Sequence, residues 1–391
     1  MNNRPKGPST RAVHGGGSPI DDGVPPDTVF MGSVFPFDDA ADAARRFEEG
    51  EGYVYSRWAN PTVAELERAI ADLEGAEACV AFASGMGAIY GVLATVLGPG
   101  DHVVAPRAIY AETAKVLRLH FARFGIETTF VDMTDLGAVE KAITSRTRLL
   151  WVETPANPVL AVTDLGAVVS LGRANDVCIV SDNTFATPYH QNPLVHGVDL
   201  VVHSATKGIC GHGDALGGVV AGARDRVDAI REEALRGAGA VMAPMTAWLV
   251  RRGLRTMAIR CAQSSATAQD LATRLSHREG VARVYYPGLA SHPGHGIAAR
   301  QMVRGFGSMI AFELQGGADQ GRRVHDRLAL FTRAVSLGDV RSLVTHAAST
   351  THHSMPREQR IEAGISDGLL RLSIGIEDVE DLWSDLDQAL A

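Results

Sequence analysis

Cysteine is scarce in this 391-residue chain, with four in all: Cys79, Cys178, Cys210 and Cys261. No two of them stand at metal-ligand spacing. Cys79 and Cys178 lie inside apolar strand-like runs and read as buried thiols. Histidine pairs occur only at His352-His353 and His292/His295, away from cysteines or paired carboxylates, so no metal site is expected. No apolar stretch approaches the length of about 20 residues that spans a bilayer, so no membrane partner is expected. There is no Lys/Arg run or basic stripe, and the net charge is −8 with both signs interspersed, which argues against a nucleic-acid partner. Met1-Asn2-Asn3-Arg4-Pro5-Lys6 leads into Gly, Pro and Ser instead of an apolar core, so no secretory leader is expected. Sparse cysteine without an export signal points to the reducing cytoplasm. Internal repeats and low-complexity segments are absent as well.

What remains is ordinary globular material, 46% hydrophobic and 21% charged, long enough for two domains. Residues 1–60 lack periodicity and are rich in Gly, Pro and Asp, which reads as an extended arm lying on something, such as another subunit. Residues 61–255 read as a large domain. Asn60 caps a helix that opens on Pro61, carries Val63, Leu66, Ile70 and Leu73 as its stripe, and stops at Gly75. Strands at 78–83, 102–105, 128–131, 149–152, 177–181 and 198–203 alternate with helices at 85–97, 111–123, 136–142 and 165–173. This α/β alternation predicts a mostly parallel sheet covered on both faces, with ligands bound beyond the carboxyl ends of its strands. Residues 256–391 read as a smaller α+β domain. It has a helix at 258–276, strands at 282–286, 308–314 and 330–336, and a strictly alternating strand in which Leu370, Leu372, Ile374 and Ile376 share one face. A helix capped by Asp378 closes the chain.

The predicted strand ends converge. Ser204-Ala205-Thr206-Lys207 follows one strand, Asp182 ends another, Glu153 a third, and Ser84-Gly85-Met86 turns a strand into a helix. An amine, two hydroxyls, a carboxylate and a helix N-terminus are what pyridoxal 5'-phosphate requires. The lysine condenses with its aldehyde, the hydroxyls and free N–H groups take the phosphate, and the carboxylate keeps the ring nitrogen protonated. Tyr110, just beyond a strand, offers a ring for stacking, and Tyr55-Ser56-Arg57 offers a phenol and a guanidinium suited to phosphate. Taken singly, each of these motifs is as well explained by a solvated lysine, a helix cap or a packing tyrosine.

Taken together and in order, Tyr55-x-Arg57, Ser84-Gly85-Met86-Gly87-Ala88, Tyr110, Glu153-Thr154-Pro155-Ala156-Asn157-Pro158, Asp182-Asn183-Thr184, Ser204-Ala205-Thr206-Lys207 and Arg371-Leu372-Ser373 resemble the cystathionine γ-synthase-like enzymes of cysteine and methionine metabolism. Thr10-Arg11-Ala12-Val13-His14 and Pro25-Pro26 extend the resemblance into the arm. The resemblance implies the aspartate aminotransferase type of fold (fold type I) and pyridoxal 5'-phosphate as cofactor. It implies that Lys207 carries the cofactor and shuttles protons, that Asp182 pairs with the ring nitrogen, and that Asn157 contacts the ring oxygen. Gly85, Met86, Ser204 and Thr206 would hold the phosphate, with Ser84 and Thr184 in the same cofactor pocket. Tyr55 and Arg57 would reach that phosphate from a neighbouring subunit of a homotetramer built as a dimer of dimers. Tyr110 would stack on the ring and assist as acid or base. Arg371 and Ser336 would bind the substrate α-carboxylate.

Within that family the chain is most similar to methionine γ-lyases. Val335-Ser336-Leu337-Gly338-Asp339 places an apolar Val335 where cystathionine γ-lyases carry glutamate, which suits a methyl thioether. Glu112 and Gly208 depart from the methionine γ-lyase pattern, which has cysteine and an aromatic residue there. Glu112 would face a polar substrate end or solvent, and Gly208 would loosen the ring pocket. The implied substrate is L-methionine or a related sulfur amino acid. Cystathionine γ-lyase or γ-synthase and O-acetylhomoserine sulfhydrylase activities are the alternatives.

Overall fold

The computed structural model describes residues 6–17, 27–50, 52–351, 353 and 355–391. Pro25-Pro26, His352 and most of Met1–Lys6 lie outside the described residues.

Short apolar strands separated by helices build a seven-stranded sheet from β1 (Ala78–Phe82), β2 (His102–Pro106), β3 (Glu127–Val131), β4 (Thr147–Glu153), β5 (Cys178–Asp182), β6 (Leu200–Ser204) and β7 (Gly218–Gly222). Their order is β1-β7-β6-β5-β4-β2-β3. The run from β6 to β3 is parallel, and β7 is antiparallel to both its neighbours. Val80, Val103, Leu149, Trp151, Val180 and Val202 bury one face, and Val104, Leu150, Val152, Ile179 and Val201 bury the other. Full burial of one such side chain is worth about 1.5–3 kcal/mol, and apolar burial on both faces explains why these strands are continuously apolar.

The strand β7 was not legible in the sequence. Its glycine ends are steric: a Cβ on Gly218 would stand 2.1 Å from the Ser84 carbonyl oxygen. The helices Pro61–Glu74, with the Asn60 side chain accepting from Thr62 N–H and Gly75 at φ 72°, and Leu136–Ala142 run as read. The segment read as one helix from Ala111 starts as α-helix over Ala111–Lys115, widens to an i→i+5 turn over Val116–His120, and tightens before Gly125. This seats Phe121 in the core, 5.1 Å from the Tyr90 ring.

The second sheet contains β8 (Val281–Tyr285), β9 (Met309–Leu314), β10 (Thr332–Arg333), β11 (Leu343–His346) and β12 (Leu369–Ser373), in the order β10-β11-β12-β9-β8. Helices Met257–Ser276 and Val379–Leu390 cover its apolar face.

The strand read over 330–336 is only two residues long, because the backbone leaves it to place Ser336 at φ 130°. β12 ends at Ser373, so Ile376 escapes the alternation and is 43% exposed. The Arg371 face of β12 is also buried. Asp378 makes no side-chain cap; Glu380 and Asp381 in the first turn offset the helix dipole instead. Cys178 is only half-buried. The arm is not simply extended: it holds helices Pro8–His14 and Ala40–Glu49. The first of these is tied down by Arg251, which donates to the Ala12 and Gly15 carbonyls at 3.2 and 2.5 Å.

Candidate active site

The carboxyl ends of β4, β5 and β6 present Glu153, Asp182 and Ser204 side by side. Glu153 and Asp182 are register partners, and Lys207 follows Ser204 by one turn, with its N–H donating to the Ser204 carbonyl at 3.1 Å. Thr184 ties two of these ends together. Its N–H donates to Asp182 Oδ1 at 3.0 Å, and its hydroxyl accepts from Ser204 N–H at 2.9 Å. Ser84 caps the helix Gly85–Val96, accepting from Gly87 N–H at 3.0 Å, which leaves the Gly85 and Met86 N–H groups as free first-turn donors. That helix end sits against Ser204: a Cβ on Gly85 would stand 2.9 Å from Ser204 Cβ. The Ser204 hydroxyl has no partner among the described residues, whereas the Thr206 hydroxyl is shared with Gly217, donating to its carbonyl and accepting from its N–H.

From the second sheet comes Arg371. Its guanidinium is buried and donates to Asn157 Oδ1 at 2.7 Å and to the Ser336 carbonyl at 2.9 Å. Its Nε has no partner, and no carboxylate touches it among the described residues. Burial pushes its pKa down to about 10. Asn157 stands between two cis-proline bonds, Thr154-Pro155 and Asn157-Pro158. Lys207 Nζ donates to the Ser336 hydroxyl at 2.8 Å. Burial, and then the Arg371 charge, hold its pKa below that of an ordinary lysine.

The acids show the opposite pattern. Burial raises the pKa of Asp182, and burial followed by the Asp182 charge raises that of Glu153. Neither carboxyl is paired with a cation among the described residues. Burial, then Glu112, Glu153 and Asp182, raise the Tyr110 phenol.

This donor set fits pyridoxal 5'-phosphate. A buried anion without a cation suits a protonated ring nitrogen. A helix N-terminus beside a free hydroxyl suits a phosphate. A buried guanidinium without a carboxylate suits an amino-acid carboxylate.

Not every expected residue joins the cluster. Arg57 donates to the Arg236 carbonyl at 2.6 Å and lies 5.8 Å from the Tyr55 ring, and neither side chain bonds to the Ser84–Ser204 cradle of its own chain. Glu112 is exposed and pairs with Lys115 at 3.5 Å on its own helix. Val335 is 60% exposed beside Ser336. Met86 packs its side chain on the core. Gly208 is in a tight place: a Cβ on Gly338 would stand 2.4 Å from Gly208 N, and one on Gly208 would stand 2.9 Å from Thr187 Cγ2.

Sequence reasoning missed the buried pair beneath the site, His203 Nε2 and Glu74 Oε1 at 2.5 Å, with Asn183 donating to the same oxygen at 3.3 Å. It also missed Arg260, which donates to the Gly208, Ile209 and Gly253 carbonyls at 2.8, 3.2 and 2.7 Å and locks the turn after Lys207. A polar residue within an otherwise apolar strand, as at His203, was the one available signal.

Residues 9–391 match the family model described as Cys/Met metabolism PLP-dependent enzyme. The chain is 46% identical to an L-methionine γ-lyase of Pseudomonas putida, over 99% of this chain and 98% of that protein. It is 45% identical to one of Fusobacterium nucleatum subsp. polymorphum, over 100% and 99%. Among solved structures it resembles a cystathionine γ-synthase from Xanthomonas oryzae pv. oryzae in complex with aminoacrylate and cysteine. The TM-score is 0.93 and the identity 40%, over 99% of this chain and 98% of that one.

Proposed function

The chain belongs to the Cys/Met metabolism PLP-dependent enzymes of fold type I, and on that footing we propose that it eliminates the γ-substituent of L-methionine: methionine and water give 2-oxobutyrate, ammonia and methanethiol. The observation that carries this reading is the buried Arg371 guanidinium, held by Asn157 and Ser336 with no carboxylate against it among the described residues, within the same site as the Lys207 amine. When bound, pyridoxal 5'-phosphate supplies an electron-withdrawing ring that acidifies the substrate Cα–H.

The chain's own residues do the rest. Asp182 holds the ring nitrogen's proton. Arg371 takes the substrate α-carboxylate in a bidentate clamp and orients Cα toward Lys207. Lys207, whose buried amine sheds its proton more readily than an ordinary lysine, moves protons between Cα and Cβ. Tyr110 serves as a second acid or base beside the departing sulfur. Val335 lies next to Ser336 and offers an apolar contact for the methyl thioether.

The arm and the assembly belong to the same reading. The helix Ala40–Glu49 buries none of its residues, and Met31, Val34 and Phe47 are 64%, 68% and 57% exposed. A second copy of the chain is the occupant that would cover them and bring Tyr55 and Arg57 to its neighbour's phosphate, in a homotetramer built as a dimer of dimers. Residues 61–255 and 256–391 act as the large and small domains. No helix among the described residues is long and apolar enough to cross a membrane. All four cysteines are free, in keeping with a cytoplasmic enzyme.

The test is a product assay on cofactor-loaded protein with L-methionine, L-cystathionine, and O-acetyl-L-homoserine plus sulfide. Methanethiol and 2-oxobutyrate from methionine, faster than cystathionine cleavage, are expected. Negligible methionine turnover with good turnover of either other substrate would move the assignment to cystathionine chemistry or sulfhydrylation.

A further inference from the structure

Tyr110 lies in the loop that leaves β2, which is anchored by the buried Ile109 and by Arg107 N–H donating to the Val131 carbonyl at 2.7 Å, while the Tyr110 N–H itself finds no acceptor within the loop. Tyr110 is the N-cap residue of the helix Ala111–Lys115, yet its side chain makes no cap hydrogen bond. The acceptor comes from another strand. Tyr110 N–H donates to Glu153 Oε1 and Oε2 at 3.0 and 3.1 Å. Glu153 is the last residue of β4, only 6% exposed, and the register partner of Asp182.

This is an expensive place for a carboxyl group. Burial and the Asp182 charge both oppose its ionisation, and no cation answers it among the described residues. A residue that only filled the core would be apolar, as Trp151 and Val152 are on the same strand. What Glu153 supplies is an acceptor for an otherwise orphaned N–H at a helix start.

We propose that Glu153 is a positioning residue: its carboxyl takes the Tyr110 backbone N–H and so fixes the phenol ring over the cofactor. The inference rests on the reading of Tyr110 as the residue stacked on the cofactor ring. Through Glu153 the stacking residue takes its reference from β4, and the ring nitrogen's partner, Asp182, takes its own from the adjacent β5. The carboxyl ends of two adjacent strands thereby set both the height and the in-plane position of the ring, to the tolerance of about 0.5 Å that a productive site needs.

The experiment compares Glu153→Ala, Glu153→Gln, Tyr110→Ala and the double variant Glu153→Ala/Tyr110→Ala in the loaded enzyme. It reads visible circular dichroism per bound cofactor, the cofactor dissociation constant, kcat with L-methionine, and the Tm of the cofactor-free protein. Glu153→Ala is expected to lower the visible ellipticity and to reduce kcat about tenfold or more, the consequence of one buried N–H left unpaired. Glu153→Gln keeps an amide oxygen for Tyr110 and should restore most of both. The double variant should be no worse than Tyr110→Ala, because Glu153 acts through Tyr110. A Tm change alone, with ellipticity and kcat as in the wild type, would overturn the proposal, as would additive losses in the double variant. If Glu153→Ala does not fold, Glu153→Asp, one methylene short of the Tyr110 N–H, takes its place with the same expected losses. A wild type without a Lys207-dependent visible band would overturn the functional reading and this inference with it. A band that responds to Tyr110→Ala but not to Glu153→Ala would overturn the inference alone.

Discussion

Lys207 and Ser336 meet across 129 positions of sequence: the lysine Nζ donates to the serine hydroxyl at 2.8 Å. Ser336 pays for that contact with a φ of 130°, a region that non-glycine residues avoid at about 1–3 kcal/mol. The same residue's carbonyl takes Arg371 at 2.9 Å. Its conformation is held from both sides, by Gly338 N–H donating to the Ser373 hydroxyl at 2.9 Å and by the Thr345 hydroxyl donating to the Ala334 carbonyl at 3.0 Å. One strained serine thus joins the amine of the first sheet to the guanidinium of the second.

Lys207→Ala should abolish the visible absorbance of the loaded protein; an unchanged band would mean that another lysine carries the cofactor. The wild-type rate of cofactor capture should fall as pH drops through the Lys207 pKa, which lies below the ordinary lysine value, because only the neutral amine is a nucleophile. Arg371→Met removes a neighbouring positive charge, so the midpoint of that profile should move up; a midpoint that moved down would contradict the coupling.

Asp182→Asn should lower kcat by more than about 100-fold, the scale of losing a preorganised charge at the reacting centre. It should leave the Tm of the cofactor-free protein unchanged or higher, because a buried carboxyl without a cation is removed. Intact turnover combined with a lowered Tm would make Asp182 a structural residue.

Arg57→Ala should weaken cofactor retention. Mixed oligomers of Arg57→Ala and Lys207→Ala chains should recover part of the activity, since one of the two sites in a mixed pair receives both intact residues. Confirmed mixed oligomers without any recovery would refute a shared site.

Val335→Glu should raise the ratio of kcat/KM for cystathionine over that for methionine by about tenfold, the equivalent of one added ion pair of roughly 1.4 kcal/mol. An unchanged ratio would show that the side chain at 335 does not face the substrate.

His190 is buried and its Nδ1 lies 3.0 Å from the Arg304 carbonyl oxygen; burial lowers its pKa to about 4. A lowered folded-state pKa means that the unfolded chain binds the proton first. Its contribution to stability is therefore full above about pH 6.5 and is lost as pH falls toward 4. Thermal unfolding across that window should show a falling Tm. His190→Asn, which can still donate to Arg304, should make the fall shallower. A slope equal to that of the wild type would mean that other groups carry the acid sensitivity.

The legible parts of this protein are those whose cause is local. Ser84 and Asn60 announce helix starts through their own side chains. The strands ending at Glu153 and Asp182 announce themselves through continuous apolar runs. The order of motifs along the chain, from Tyr55 to Arg371, carried the family. The illegible parts were set by partners distant in sequence. The strand β7 is glycine-bounded because the Ser84 carbonyl presses on Gly218 and the Asp199 carbonyl on Gly222, and Ile376 falls outside its alternation because β12 stops at Ser373.

The sequence by itself determined the element alternation, the family and the residue types placed at the strand ends, because apolar periodicity and cap chemistry act over a few residues. Only the tertiary structure decided that Ser336 holds both Lys207 and Arg371, that Glu153 holds Tyr110, and that Arg57 lies away from the cradle of its own chain. Those contacts are made between residues far apart in the chain, and their geometry exists only once both sheets have packed.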